Sequence, residues 1–401
     1  MPVSACQQTR WSTIILLFAA GFLAAFQYAK IPFMLPDLLL QVPMSALQQA
    51  SLLSVIGIVG VIGGVSAGVV CQIVGLRRTL LSGLAVAMLG AVLPLWVSDY
   101  SLLLLGRLIE GVGHMAIVVS VPTLMLPLCA ATDRPKVMAL WSCYFTATFV
   151  LTALAAPVLL KYAGWQGFAV IHALLLLIVF VGLRRAGVVC DLMSDAAHQL
   201  NPRHLLLTQW RLLRERRLLA IPAAFFGYTL LFVSLVSVVP KWIASSEQMA
   251  VSFSIMLPCA ALLGTAVSLI MLARGVSGQQ LVNVATSGLV LVGGVLLLLN
   301  ASGVAAQALV ILGFVFLGVL PAGIVSSLPR LFQAGDPDVV LVNGGLVQFG
   351  NLGNFIGSPL LALMLLSWGW VSVGLYLLLG AGVVGLCMCF IYPAYANKNP
   401  D

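Results

Sequence analysis

Apolar stretches long enough to cross a bilayer follow one another along the whole chain, and no other feature limits its fold so tightly. They run over residues 12–37, 46–73, 79–97, 101–130, 137–160, 166–183, 218–240, 249–273, 280–299, 304–328, 340–366 and 369–392. A helix rises about 1.5 Å per residue, so about 20 apolar residues span a hydrocarbon core. The chain has 401 residues, of which 62% are hydrophobic, more than a soluble core of that size can hide. Inside lipid every backbone N–H and C=O has to be paired internally, which leaves helices and closed barrels. The runs are continuous, whereas barrel strands are short and alternating. The expected fold is an all-α membrane protein with twelve transmembrane helices.

Only 7% of the residues are charged, and the formal net charge is +8. A basic balance can point to nucleic acid, but here the charges follow the membrane. With the N-terminus cytoplasmic, the inner segments hold Arg10, Arg77, Arg78, Arg134, Lys136, Arg184, Arg185, Arg203, Arg211, Arg214, Arg216, Arg217, Arg274, Arg330 and Lys398. The outer loops hold Lys161 and Lys241, while Lys30 and Arg107 fall within spans. This positive-inside bias places both termini in the cytoplasm and gives the excess charge a topological role, with no nucleic-acid partner. The first apolar run is too long for a cleavable signal, and no small-residue cleavage site follows it before Pro36-Asp37. The eight cysteines show no metal or disulfide spacing and read as small buried apolar residues. No cofactor is expected.

The chain also repeats itself. Gly106, Gly111, Ile117 and Pro122 each have an identical counterpart 207 residues later, at Gly313, Gly318, Ile324 and Pro329. Pro36 and Pro240 are offset by 204, and Pro157 and Pro359 by 202. Three offsets of similar size, in order, indicate two parallel six-helix halves related by an axis along the membrane normal. The expected division is an N-terminal bundle over 1–183, a cytoplasmic central loop over 184–217 and a C-terminal bundle over 218–401. In the loop, Asn201-Pro202 has the form of a helix start. The following run, Leu205 to Leu219, mixes leucines and Trp210 with Arg211, Arg214, Arg216 and Arg217. It reads either as an amphipathic helix at an anionic lipid surface or as a solvated linker.

The repeat, the helix count and the basic central loop together resemble the major facilitator superfamily. The loop after span two sharpens the resemblance: of the superfamily's signature, Gly68, Gly75, Arg77 and Arg78 are present, while Gln72 stands at a usually acidic position and Ile73 at a usually basic one. The resemblance gives Gly68, Gln72, Gly75, Arg77 and Arg78 a role in gating. Gln72 lacks the charge that a relay there would use, and the arginines are left to hold helix C-termini or to anchor the loop. Gly106-Arg107-Leu108-Ile109-Glu110-Gly111-Val112-Gly113 is similar to the family's span-four motif, which associates Arg107 with proton coupling. The span-five motif of drug antiporters is degraded, because Ala155-Ala156-Pro157-Val158 keeps only the proline. The resemblance covers essentially the whole chain and implies that spans one, four, seven and ten line a central cavity.

Arg107, Glu110 and His114 lie at i, i+3 and i+7 within an apolar run, and so share one helix face. A charge at the bilayer centre costs roughly 2.5–3.5 kcal/mol and usually marks an ion or substrate path. Desolvation favours the neutral acid of Glu110 and the neighbouring guanidinium favours its carboxylate, so movement of either group loads or releases a proton. His114 titrates near neutrality and is placed to relay it. The alternative is a salt bridge that only joins helices. Lys30, with Gln27 and Tyr28 just before it, either converges with Arg107 on an anionic solute or snorkels to the outer surface. Tyr228 in span seven, and Asn351 and Asn354 in span eleven, are further candidates for solute contact, with interhelical hydrogen bonding as the alternative for the asparagines. His172 in span six reads as a satisfied helix contact. Gly64-Val65-Ser66-Ala67-Gly68 fits a hydrolase elbow by pattern, but lies inside a span, where Gly60, Gly64 and Gly68 form a small-residue stripe and Gly353 and Gly357 offer a matching one.

The expected function is secondary active transport of a small organic anion across a bacterial inner membrane by alternating access, coupled to protons. The sequence contains no nucleotide-binding loop of the form G-x-x-x-x-G-K-[ST]. The alternatives are efflux of a drug or metabolite and, more remotely, a membrane-embedded enzyme using Ser66.

Overall fold

The computed structural model describes residues 8–96, 99–130, 133–187, 202–244, 246–299, 303–331 and 338–389. In chain order the helices are α1 (Trp11–Gln41), α2 (Ala46–Ser54), α3 (Gly57–Val74), α4 (Leu76–Val92), α5 (Tyr100–Met125), α6 (Arg134–Arg185) and α7 (Pro202–Arg214). They continue with α8 (Arg216–Ile243), α9 (Glu247–Ala273), α10 (Gly278–Leu296), α11 (Val304–Val325), α12 (Leu328–Leu331), α13 (Asp338–Trp368) and α14 (Val371–Cys389). No strand occurs among the described residues.

Among these residues, eleven helical stretches are long and apolar enough to cross a membrane. One of them belongs to α6, whose 52 residues would reach well beyond twice the thickness of a hydrocarbon core. Its helical path is broken at Gly164, with φ 64 and ψ −178, between the fifth and sixth apolar runs. The eleven stretches therefore hold the twelve expected spans.

Gly164 has a counterpart. Gly369, with φ 59, separates α13 from α14 as Gly164 separates the two parts of α6. Gly75 (φ 90) joins α3 to α4 and Gly275 (φ 88) joins α9 to α10 in the same way. Left-handed backbone is open to glycine at little steric cost, so each half reverses direction at the same two places with the same residue. The repeat is thus present in turn geometry as well as in side chains.

The chain packs as two compact units. The first takes residues up to Ser45 and from Ile58 into the connecting segment, and the second takes Ala46–Gly57 and everything from Pro202. Residues 46–57 contain a break in span two. Ser51 Oγ donates to the Leu47 carbonyl at 2.8 Å and Ser54 Oγ to the Ser51 carbonyl at 3.4 Å. Such back-bonding competes with the helical ladder, and the helix stops at Ser54 and resumes at Gly57. The freed segment, α2, packs on α13. Residues 188–201 of the central loop lie outside the described part.

In the first unit the apolar core joins Ile14, Leu17, Ala20 and Ala24 of α1 to Leu80, Leu84 and Ala87 of α4, Ile117 and Val121 of α5, and Leu176 and Val179 of α6. In the second unit α8 is the central element, packed by α13, α14, α11 and α9. Gly353 and Gly357 press against the Phe226 and Leu230 carbonyls of α8. This corrects the expectation that they match the stripe of span two: small residues announce a close approach but do not say to which helix.

Candidate functional site

The rotation of α5 is set by its contact with α4. A Cβ at Gly90 would lie 2.7 Å from both Cγ and N of Glu110, and one at Gly113 would lie 2.6 Å from the Ala87 nitrogen. Backbone meets backbone along this seam, which leaves α5 little freedom to turn. With the glycines committed to α4, the Arg107–Glu110–His114 face is directed at α1 and the second part of α6.

That face carries a buried ionic cluster. Glu110 Oε1 accepts a hydrogen bond from Lys30 Nζ of α1, and Glu110 Oε2 accepts one from Arg107 Nη1 of its own helix. The side chains of Lys30, Arg107 and Glu110 are 4%, 2% and 1% exposed. Lys30 is therefore not a snorkelling lysine, and the anion on which it and Arg107 converge is the protein's own. Lys30 Nζ also lies 3.2 Å from His172 Nδ1. The other ring nitrogen of His172, Nε2, lies 3.1 Å from the Leu23 carbonyl. A carbonyl only accepts, so Nε2 carries the proton, Nδ1 receives the lysine's bond and the ring is neutral. The bonded chain Arg107–Glu110–Lys30–His172 has two positive groups and one negative, a net of +1.

His114 joins the same wall through a different contact. Its Nδ1 donates to the Ala24 carbonyl at 3.0 Å, and its ring meets Tyr28 edge-on at 5.1 Å. Two consecutive carbonyls of α1 thus hold one histidine from α5 and one from α6. Taking charges out of water costs several kcal/mol per ion, and pairing offsets this only when the geometry is good and the remaining lone pairs and protons are satisfied. The cluster meets that condition at Glu110, where both oxygens are engaged. Gln27 does not. It is fully buried, and neither its Oε1 nor its Nε2 has a hydrogen-bond partner.

The structure accordingly brings Gln27, Tyr28, Lys30, Arg107, Glu110 and His114 together in the first unit. The other three candidates belong to the second. Tyr228 is buried between Phe225 and Phe232, at ring distances of 5.5 and 5.8 Å. Asn351 donates to the Val347 carbonyl at 2.8 Å, a bond within its own helix. Asn354 is buried with its Oδ1 unpartnered. Of the candidate gating residues, Gly75 makes the left-handed turn, and Arg77 Nη2 donates to the Arg184 carbonyl at 3.2 Å, a cation on the last turn of α6. Arg78 begins α4 beside it, and Gly68 and Gln72 lie in α3 with their side-chain environments outside the described part. Ser66 sits within the unbroken helix α3, which lacks the strand-to-helix turn of a hydrolase elbow.

His172, expected from the sequence to be a satisfied helix contact, is one; what the sequence did not show is that its partner is Lys30. The only available signal was a polar side chain in an otherwise apolar sixth run, and Lys30 in the first run gave the same kind of signal.

The sequence pattern of the Major Facilitator Superfamily matches residues 17–341. No curated protein matches the chain.

Proposed function

The chain belongs to the Major Facilitator Superfamily, and on that premise we propose that it carries a small organic anion across a bacterial inner membrane together with protons. The coarser part of this statement is settled by the family: the protein is an integral membrane secondary transporter, not an enzyme. The finer part rests on one observation, the buried cluster of Lys30 and Arg107 on the single carboxylate of Glu110, with a net positive charge.

Two buried cations sharing one carboxylate favour a negatively charged partner. Protonation of that carboxylate changes the charge of the whole cluster, so the cluster's affinity for an anion depends on a proton. Alternating access then needs only that the two states expose the cluster to different sides. Gln27 and Tyr28 are the neutral contacts on α1, and Tyr228, Asn351 and Asn354 are the candidates from the second unit. Gly75, Arg77 and Arg78, with Gly68 and Gln72 before them, form the hinge at which the α3–α4 turn is held. The distribution of basic residues supports cytoplasmic termini.

The test is flux in reconstituted vesicles. Organic acids, amines and neutral solutes are first screened by thermal shift, and the best binder is followed under an imposed pH gradient. Anions are expected to bind preferentially, with uptake that follows the gradient in the native protein and ignores it in Glu110→Gln. Preference for amines would remove the anion, and unchanged coupling in the variant would remove Glu110.

A further inference from the structure

We infer that α7 is an interfacial helix whose outer face binds anionic phospholipid headgroups at the cytoplasmic surface of the membrane. The inference is independent of the solute and of the ionic cluster in the first unit.

α7 is held where a span enters the lipid. One residue, Glu215, separates it from α8, a membrane span. Glu215 is extended, with φ −89 and ψ 108, so the chain bends there and α7 does not continue the axis of α8. Three contacts fix this end of the helix. Leu212 is fully buried, and its two methyl carbons would lie 3.0 and 3.2 Å from a Cβ at Gly345, two turns inside α13. Arg211 bonds both oxygens of Asp338, the first residue of α13. Arg217, just past the corner, donates to the Leu331 carbonyl from Nε and Nη2.

The inner face of α7 is thus occupied by the protein, and the outer face is not. Leu207, Trp210 and Leu213 follow one another at intervals of three, on the side opposite Leu212, and are 58%, 62% and 50% exposed. Arg214, one turn after Trp210, lies among them and is exposed, as is Arg216 beyond the corner. An apolar row of this kind is unfavourable in water. Here it continues the surface of a helix that crosses the bilayer, so its surroundings are set by α8. It lies at the level of the headgroups, where tryptophan is favoured and arginine extends from an apolar bed to reach phosphate.

Charge names the lipid. From Pro202 to Arg217 the chain holds Arg203, Arg211, Arg214, Arg216 and Arg217 against one acid, Glu215. Arg211 bonds that acid as well as Asp338, so both carboxylates share a single arginine. A zwitterionic headgroup offers no net charge to such a surface. An anionic one does, and each basic residue near it strengthens binding about fivefold.

The experiment places the full-length protein in phosphatidylcholine vesicles that contain an equal share of acyl-brominated phosphatidylglycerol or acyl-brominated phosphatidylcholine. Tryptophan emission is recorded for the native protein and for Trp210→Phe, and the difference is the emission of Trp210. Brominated phosphatidylglycerol is expected to quench it at a lower share of the lipid than brominated phosphatidylcholine, with a preference that shrinks in high salt. In Arg214→Gln and Arg216→Gln the share needed for half-maximal quenching by phosphatidylglycerol should rise about fivefold each. Trp210, Arg214 and Arg216 are exposed, so these variants leave the packed face of α7 untouched. Emission from Trp210 that neither brominated lipid quenches overturns the inference, and the face then belongs to solvent, to a second copy or to another segment. Equal quenching by the two lipids overturns it as well, because the helix then lies in the membrane without reading headgroup charge.

Discussion

Replacing Glu110 by glutamine removes one negative charge and leaves Lys30 and Arg107 directed at the same neutral amide. Both cations are almost fully buried, so the loss is that of a broken interior ion pair, about 3–5 kcal/mol. Lys30→Met is the opposite case. It leaves the Arg107–Glu110 pair intact and neutral, and its cost is the loss of the lysine's bonds to His172 Nδ1 and Glu110 Oε1, about 1–3 kcal/mol. The double variant restores the charge balance that Glu110→Gln upsets, because a single buried cation remains where there were two. It is expected to be more stable than Glu110→Gln alone by about 1–3 kcal/mol, the coupling typical of residues in one network. The assay is the half-life of the detergent-purified protein at a fixed elevated temperature, read as the surviving monodisperse fraction on gel filtration. The predicted order is native, Lys30→Met, the double variant, then Glu110→Gln. A double variant less stable than Glu110→Gln, or Lys30→Met as damaging as Glu110→Gln, would refute the view that the carboxylate is the shared counter-ion of both cations.

Three further outcomes follow from particular contacts. Gly90→Val puts branched carbons where Glu110 Cγ and N already stand 2.7 Å away, which is expected to cost more than about 3 kcal/mol. Gly75→Ala meets no atom within 4 Å and should cost only the left-handed backbone, about 1–2 kcal/mol; yields of folded protein rank the two. His172→Gln keeps an acceptor for Lys30 and a donor for Leu23, whereas His172→Leu keeps neither, so the pH profile and rate of flux should survive the first and not the second. Arg211, at the end of α7, bonds Glu215 at 2.8 Å and the two oxygens of Asp338 at 2.8 and 3.1 Å, and these bonds hold its guanidinium above the ordinary arginine range. A raised value stabilises at every pH below the ordinary one and fades only above it. Half exposed as the side chain is, Arg211→Ala should cost less than about 1 kcal/mol, with a loss that shrinks in high salt and stays flat across neutral pH by thermal shift.

The spans were readable because lipid imposes a single rule on every residue in them: an apolar run of sufficient length folds as a helix whatever its neighbours do. Even the division of α6 at Gly164 was visible, since Lys161 and Gly164 interrupt the apolar run where the helix turns. The break in span two was not, because Ser51 and Ser54 are polar enough to bend a helix yet too weakly so to end an apolar run. The site divides along the same line. Arg107, Glu110 and His114 were legible as a face because helical spacing alone brings them together. Lys30 lies 80 residues from Glu110 and 142 from His172, and no local rule ties those separations to contact. What joins them is the rotation of three helices, and that is fixed elsewhere, by Gly90 of α4 and Gly113 of α5 at the seam between those helices and by the carbonyls of Leu23 and Ala24. A polar residue in a lipid-spanning run still announces that it must have a partner. Five ionisable residues, Lys30, Arg107, Glu110, His114 and His172, sit in three runs of the same half, and their scarcity limits whom each can meet. The sequence therefore carried the list of participants, while the pairing came only from packing.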